Sequence, residues 1–130
     1  MQKLTEQFVD ALADLHSSGD VEPLAALFAD DATLSKAGMK HEEHGQGGAR
    51  AFWSKYRGVF DTIESSFQRR VCGDAIAFLE WSSSGTLLNG NDFRYGGVSV
   101  LEGHDDKIKE FRTYYDTTAF SGGTGKAKGR

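Results

Sequence analysis

From Lys3 to Ser17 the apolar residues return every three or four places. Leu4, Phe8, Ala11, Leu12 and Leu15 fall on one face, which is the period of a helix with one buried stripe. Gly19 stops that helix. Asp20 caps a short second one, whose first turn tolerates Pro23 because the N–H there has no intrahelical partner. Leu24, Leu27 and Phe28 form its buried side. "ATLSK" alternates and predicts a strand, and "AGMKHEEHGQGG" reads as a loop. Ala49 to Phe60 predicts a third helix, with Phe52, Trp53, Tyr56 and Phe60 available to the core.

After Asp61 the period changes to two and stays there. "IESSFQRRVC", "AIAFLEWSSSG", "DFRYGGVSVLE" and "KIKEFRTYYD" predict four strands, separated by Gly73-Asp74, "LLNGN" and "GHDD". Linkers this short join antiparallel neighbours into a meander. Helices first and a sheet afterwards predicts an α+β domain with the helices packed on one sheet face. The strand from Ala75 to Gly85 has Ala77, Leu79, Trp81 and Ser83 on one face, and Ile76, Phe78, Glu80 and Ser82 on the other. Both faces begin apolar, yet helices cover only one within a monomer. A second copy of the chain, packed through the outer sheet face, is the expected cover. The outer side of the last strand, Glu110, Arg112, Tyr114 and Asp116, mixes Arg, Tyr and acid in a way that suits an interface.

Charge narrows the partners. Lys126, Lys128 and Arg130 stand in the Gly-rich "SGGTGKAKGR" with no acid, so residues 1–120 carry −7 against a chain total of −4. An acidic body disfavours nucleic acid. The chain reads as one domain over 1–120 followed by a flexible basic tail over 121–130. Its 130 residues contain no apolar run of membrane-spanning length, so no membrane partner is expected. The single cysteine, Cys72, excludes an internal disulfide framework. The cytoplasm is therefore the expected compartment, and Cys72 is expected to be a buried packing residue.

The layout resembles the nuclear transport factor 2-like superfamily, and within it the SnoaL-like polyketide cyclase and ketosteroid isomerase-like group. The segments carrying the resemblance are "SGDVEPLAALFADDATL", "HGQGGARAFW" and "KIKEFRTYYD". It implies a curved antiparallel sheet wrapped around three N-terminal helices, a cone-shaped pocket, and dimers through the outer sheet face. By the same resemblance, the general-base aspartate of ketosteroid isomerases falls at Lys36, and their two oxyanion donors at Leu12 and Val98. The Asp–Arg–Asp set of limonene epoxide hydrolases falls at Trp81, Ser83 and Thr113. None of those groups is present, and no inward carboxylate replaces the acid–base aspartate of the cyclases.

Laying the alternation on that fold gives an inward set of Lys36, Trp81, Ser83, Phe93, Tyr95, Thr113 and Tyr115, with Phe120 closing the base. A bulge at Gly96-Gly97 is expected to shift the inward register to Val98 and Val100. Such a cavity suits a mostly apolar small molecule with one anionic or carbonyl end. Lys36, Tyr95 and Tyr115 are the candidate catalytic groups. Lys36 among aromatics is either a base or Schiff-base nucleophile of lowered pKa or a side chain that reaches the mouth and does no chemistry. His41 and His44 in "HEEH" lack a third ligand, so a capping role is expected there and no metal. His16 and His104 are expected at the surface. No cofactor-binding fingerprint is present. The expectation is an isomerase-, cyclase- or hydrolase-type binder that needs no cofactor, and the alternative is a non-catalytic dimeric binding or interaction module.

Overall fold

A computed structural model describes residues 1–37 and 40–116. Helix α1 (Gln2–Ser18) ends where Gly19 adopts φ 79° and returns its N–H to the Leu15 carbonyl, a left-handed stop that glycine takes without steric cost. Helix α2 (Glu22–Ala25) follows, its Glu22 N–H held by the Asp20 carboxylate at 3.0 Å. Then come β1 (Phe28–Lys36), β2 (Glu43–His44), α3 (Gly45–Gly58), β3 (Phe60–Cys72), β4 (Ile76–Leu87), β5 (Asp92–His104) and β6 (Lys107–Tyr115). The third helix thus starts four residues earlier than its apolar pattern predicts, and Phe60 opens a strand. Part of the expected "HEEH" loop is a two-residue strand.

The six strands lie in the order β2-β1-β6-β5-β4-β3. Strands β3 to β6 form the expected antiparallel meander. Asp105 and Asp106, at φ 53° and 64°, make the two-residue turn from β5 to β6, as tight hairpins of this hand require. One expectation is corrected: the sheet is mixed, because β1 pairs parallel with β6. Short linkers set the pairing of sequence neighbours, but β1 meets β6 across some seventy residues of intervening chain, where no turn dictates direction.

Two buried clusters lie on the concave side. The larger joins Leu4, Phe8, Leu12 and Leu15 of α1 and Phe52 and Trp53 of α3 to Leu34, Leu79, Leu101 and Phe111 of the sheet. The smaller, Phe60, Ile63, Trp81, Phe93 and Tyr95, comes from strands alone. Alternation on β4 is as expected: Ala77, Leu79, Trp81 and Ser83 are buried and Phe78 is exposed.

The expected bulge at Gly96-Gly97 is absent. The β4–β5 register runs unbroken, with Trp81 opposite Gly97 and Leu79 opposite Ser99. Ser99 and Leu101 therefore face inward, while Val98 and Val100 belong to the outer side. Val100 is buried there between its sheet neighbours Phe78 and Arg112. The glycine serves close approach instead. A Cβ on Gly97 would sit 2.3 Å from the Tyr114 carbonyl oxygen and 2.8 Å from Cζ2 of Trp81. Two further expectations fail. Cys72 is exposed near the end of the edge strand β3, and His16 is buried.

Gly97→Ala is expected to lower stability by about 1–3 kcal/mol, the usual cost of forcing extra volume into a packed site. It should also loosen the Trp81 ring. Urea unfolding with near-ultraviolet dichroism reads both, and a wild-type midpoint and spectrum would count against this packing.

Candidate functional site

Between the helices and the sheet lies a cavity of about 330 Å³, within the range of small-molecule sites. Helices α1 and α3 supply Phe8, Leu12, Phe52, Trp53 and Tyr56, and the strands supply Trp81, Tyr95, Phe111 and Tyr115. Hydroxyls punctuate this apolar wall at Ser65, Ser83, Ser99 and Thr113, and Lys36 closes it from the end of β1. Among the described residues no carboxylate lines it.

The aromatic rings hold one another in edge-on contact. Trp81 and Tyr95 are 5.0 Å apart, Tyr95 and Tyr115 5.5 Å, and Trp53 and Phe111 5.0 Å, all near T-shaped. Edge-to-face pairs contribute about 0.5–1.5 kcal/mol each beyond burial. They also fix the ring planes, so the wall resists collapse into the space it encloses.

Three polar arrangements stand on this frame. Trp81 donates its indole N–H to Ser99 Oγ at 3.0 Å, and Ser99 shares a hydrogen bond with Thr113 at 2.9 Å. Lys36, backbone neighbour of Thr113, holds its ammonium 5.4 Å from the centre of the Phe52 ring, a cation–π distance. Burial, with repulsion from Lys55, lowers its pKa. On the opposite wall His16 Nε2 lies 2.8 Å from the Tyr56 hydroxyl. Burial and the Arg57 guanidinium push this imidazole down to about 4, while burial raises the pKa of Tyr56 and, less far, that of Tyr95. Both phenols are therefore neutral at physiological pH. Two buried side-chain donors are left over, Arg57 Nε and the Trp53 indole. The buried indole N–H of Trp53, a wall residue, meets no acceptor among the described residues.

The structure brings Lys36, Trp81, Ser83, Tyr95, Thr113 and Tyr115 to this one wall. Phe93 stands one layer behind it, stacked on Phe60 at 4.8 Å. Phe120 lies outside the described residues. The sequence reading missed Ser99 through the supposed bulge, and Ser65 because nothing marked its strand as part of the cavity. It also missed His16, although four residues after Leu12 is the same helical face. His41 and His44 point elsewhere: His41 contacts Glu43 at 3.2 Å on the surface, and His44, the residue before α3, makes no side-chain cap. No cluster of three potential metal ligands occurs among the described residues.

The chain matches the family model of the SnoaL-like domain over residues 5–111. No curated protein matches the sequence. Among solved structures, an NTF2-like protein from Anabaena variabilis superposes with a TM-score of 0.81 at 18% identity, covering 91% of this chain and 90% of that one. TerC, co-crystallized with polyporic acid, gives 0.77 at 15% identity over 92% and 93%. A protein of ketosteroid isomerase-like fold from Catenulispora acidiphila, in complex with trimethylamine, gives 0.76 at 15% identity over 87% and 88%. At these identities the likeness is one of fold.

The lowered pKa of His16 has a consequence for stability. The unfolded imidazole takes up its proton near 6.5 and the folded one only near 4. Its contribution is therefore complete above 6.5 and is lost as pH falls towards 4, by up to about 3 kcal/mol. His16→Gln, which cannot ionise, is expected to flatten this part of the stability–pH curve. Denaturant titrations at pH 7, 5.5 and 4.5 test it, and parallel curves for the two proteins would remove the burial effect.

Proposed function

Because this chain belongs to the SnoaL-like domain family, whose model it matches over residues 5–111, we propose that its cavity binds a small, mostly apolar molecule through one anionic or carbonyl oxygen. The observation that carries this reading is a wall of hydroxyls closed by one ammonium, that of Lys36, with no carboxylate among the described residues. The Lys36 ammonium stands half-buried against the Phe52 ring, and a ligand oxygen supplies it with a charge-assisted partner. Two proteins of the same fold hold small molecules, polyporic acid and trimethylamine, which supports occupation of such a cavity.

The chemistry this wall supports is isomerase- or cyclase-like. Lys36 polarises the ligand oxygen, and Tyr95 and Tyr115 donate hydrogen bonds to the anion that develops on it. Lys36 also faces Thr113 across the sheet, so its stem is anchored while its head reaches the ring of Phe52. The absence of a wall carboxylate among the described residues favours a second reading, a non-catalytic binding module.

We also propose that the protein is a homodimer through the outer sheet face. Phe78, Val71 and Tyr114 are 44%, 65% and 48% exposed on that side, and Arg112 there is already paired with Glu102 and Glu110. Large apolar side chains around a satisfied ion cluster suit contact with a second copy. Phe78→Asp is expected to give monomers, because the contact would bury an unpaired carboxylate. Sedimentation at micromolar concentration checks this, and a wild type that is already monomeric would sink the dimer.

Lys36→Met keeps most of the stem volume and removes the charge. A charge-assisted hydrogen bond contributes about 1.5–3 kcal/mol, or about ten- to a hundred-fold in affinity. The variant is therefore expected to lose any preference for carboxylates and ketones over hydrocarbons of equal size, at an unchanged or raised Tm. Thermal-shift profiles of 2-naphthoate, 2-acetonaphthone and naphthalene with both proteins decide the matter, and identical profiles would retire Lys36 from recognition.

A further inference from the structure

A row of polar groups crosses four strands on the cavity side of the sheet. The strand order β4-β5-β6-β1 sets Trp81, Ser99, Thr113 and Lys36 in that succession, and all four line the cavity. Ser99 and Thr113 stand directly opposite each other, and Lys36 is the register partner of Thr113 on its other side. The Trp81 indole N–H donates to Ser99 Oγ at 3.0 Å, and Ser99 Oγ lies 2.9 Å from Thr113 Oγ1. Both hydroxyls belong to buried residues, and neither has a further hydrogen-bond partner among the described residues.

This row holds one proton more than it uses. An indole N–H can only donate, and each hydroxyl carries one proton and two lone pairs. Three donor protons therefore serve two hydrogen bonds, and one hydroxyl proton is left in either polarity. An oxygen that accepts a hydrogen bond becomes a better donor. Ser99 accepts from Trp81, which favours the polarity in which Ser99 donates to Thr113. The surplus proton is then on Thr113, the hydroxyl beside Lys36. In the opposite polarity Ser99 would accept twice, and the surplus proton would lie one strand further from the lysine, about 4.8 Å.

We propose that Thr113 and Lys36 together hold the carboxylate of a mostly apolar ligand, one oxygen on each, with Trp81 and Ser99 directing the Thr113 proton towards it. This rests on the reading of the cavity as a ligand site and narrows its ligand from any anionic or carbonyl oxygen to a carboxylate. Two donors on neighbouring strands suit two acceptor oxygens carried by one carbon. An ionised carboxylate accepts at both and has no proton of its own to place, and hydrogen bonds to it are charge-assisted. Among the described residues, no carboxylate of the wall competes for either donor. Thr113 touches the ligand, while Ser99 and Trp81 are positioning residues.

Thr113→Val is nearly isosteric and removes the proton, whereas Thr113→Ser keeps it. Calorimetry at pH 7 is expected to show 2-naphthoate bound about ten- to a hundred-fold more weakly by Thr113→Val, with most of the loss restored in Thr113→Ser. The single oxygen of 2-acetonaphthone stays on Lys36, so its affinity should change little. Unchanged 2-naphthoate affinity in folded Thr113→Val would overturn the site, and an equal loss for 2-acetonaphthone would overturn its assignment to carboxylates. Thr113→Ala gives the same readouts should the valine disturb folding. The polarity has its own readout in the ligand-free protein. The Trp81 indole N–H signal, assigned by its loss in Trp81→Phe, is expected to move upfield in Thr113→Val, because Ser99 loses the acceptor that polarises it, and to return in Thr113→Ser. A downfield move or an unmoved signal would overturn the directed row. The upfield move together with no binding of 2-naphthoate by the wild type would place the failure in the reading of the cavity, and the carboxylate site would fall with it.

Discussion

A sheet whose β3, β4 and β5 run to twelve and thirteen residues has a concave face that must be kept from water. The helices reach only part of it. Where α1 and α3 lie, aliphatic and aromatic side chains close into a filled core; beyond them the strands cover themselves with their own aromatic rings. Rings locked edge to face cannot shrink to fill the remaining volume as flexible side chains would. The cavity follows from that mismatch of lengths, and its polar groups are stationed around its rim and walls.

Seen this way, the glycine opposite Trp81 and the serine two residues later belong together. Gly97 leaves room for the indole, and Ser99 receives its N–H. The same economy of neutral donors explains how the wall holds seven hydroxyls and two indoles with a single lysine and no acid among the described residues. Charge in such surroundings is expensive, so neutral hydroxyl and indole donors make up most of the polar wall.

How much of this could be read from the chain depended on whether the determining contact was local. The stripe of α1, the parity of β4 and the hairpins all follow from residues a few places apart, and they place Trp81, Ser83, Thr113 and Tyr115 on the inward side. The parallel pairing of β1 with β6 depends on contacts far apart in sequence, so alternation was silent about it. Gly96-Gly97 misled because a glycine pair in a strand has two physical uses, a bulge or a close approach, and only the neighbouring strand decides which. That choice reversed the facing of Val98 and Ser99. His16 looked like a helix-end surface residue by type, while its spacing from Leu12 put it on the buried face.

The central claim is that the cavity is a ligand site addressed to oxygen. Both tryptophans of the chain stand on its wall, one with its N–H engaged by Ser99 and one with no acceptor among the described residues. The most direct measurement is the pair of indole N–H signals in a ¹⁵N–¹H correlation spectrum during titration with 2-naphthoate. Both signals are expected to move, because both indoles stand on the wall that the ligand would touch. Two indole signals that stay fixed at saturating 2-naphthoate, or shifts confined to amides of the outer sheet face, would contradict it.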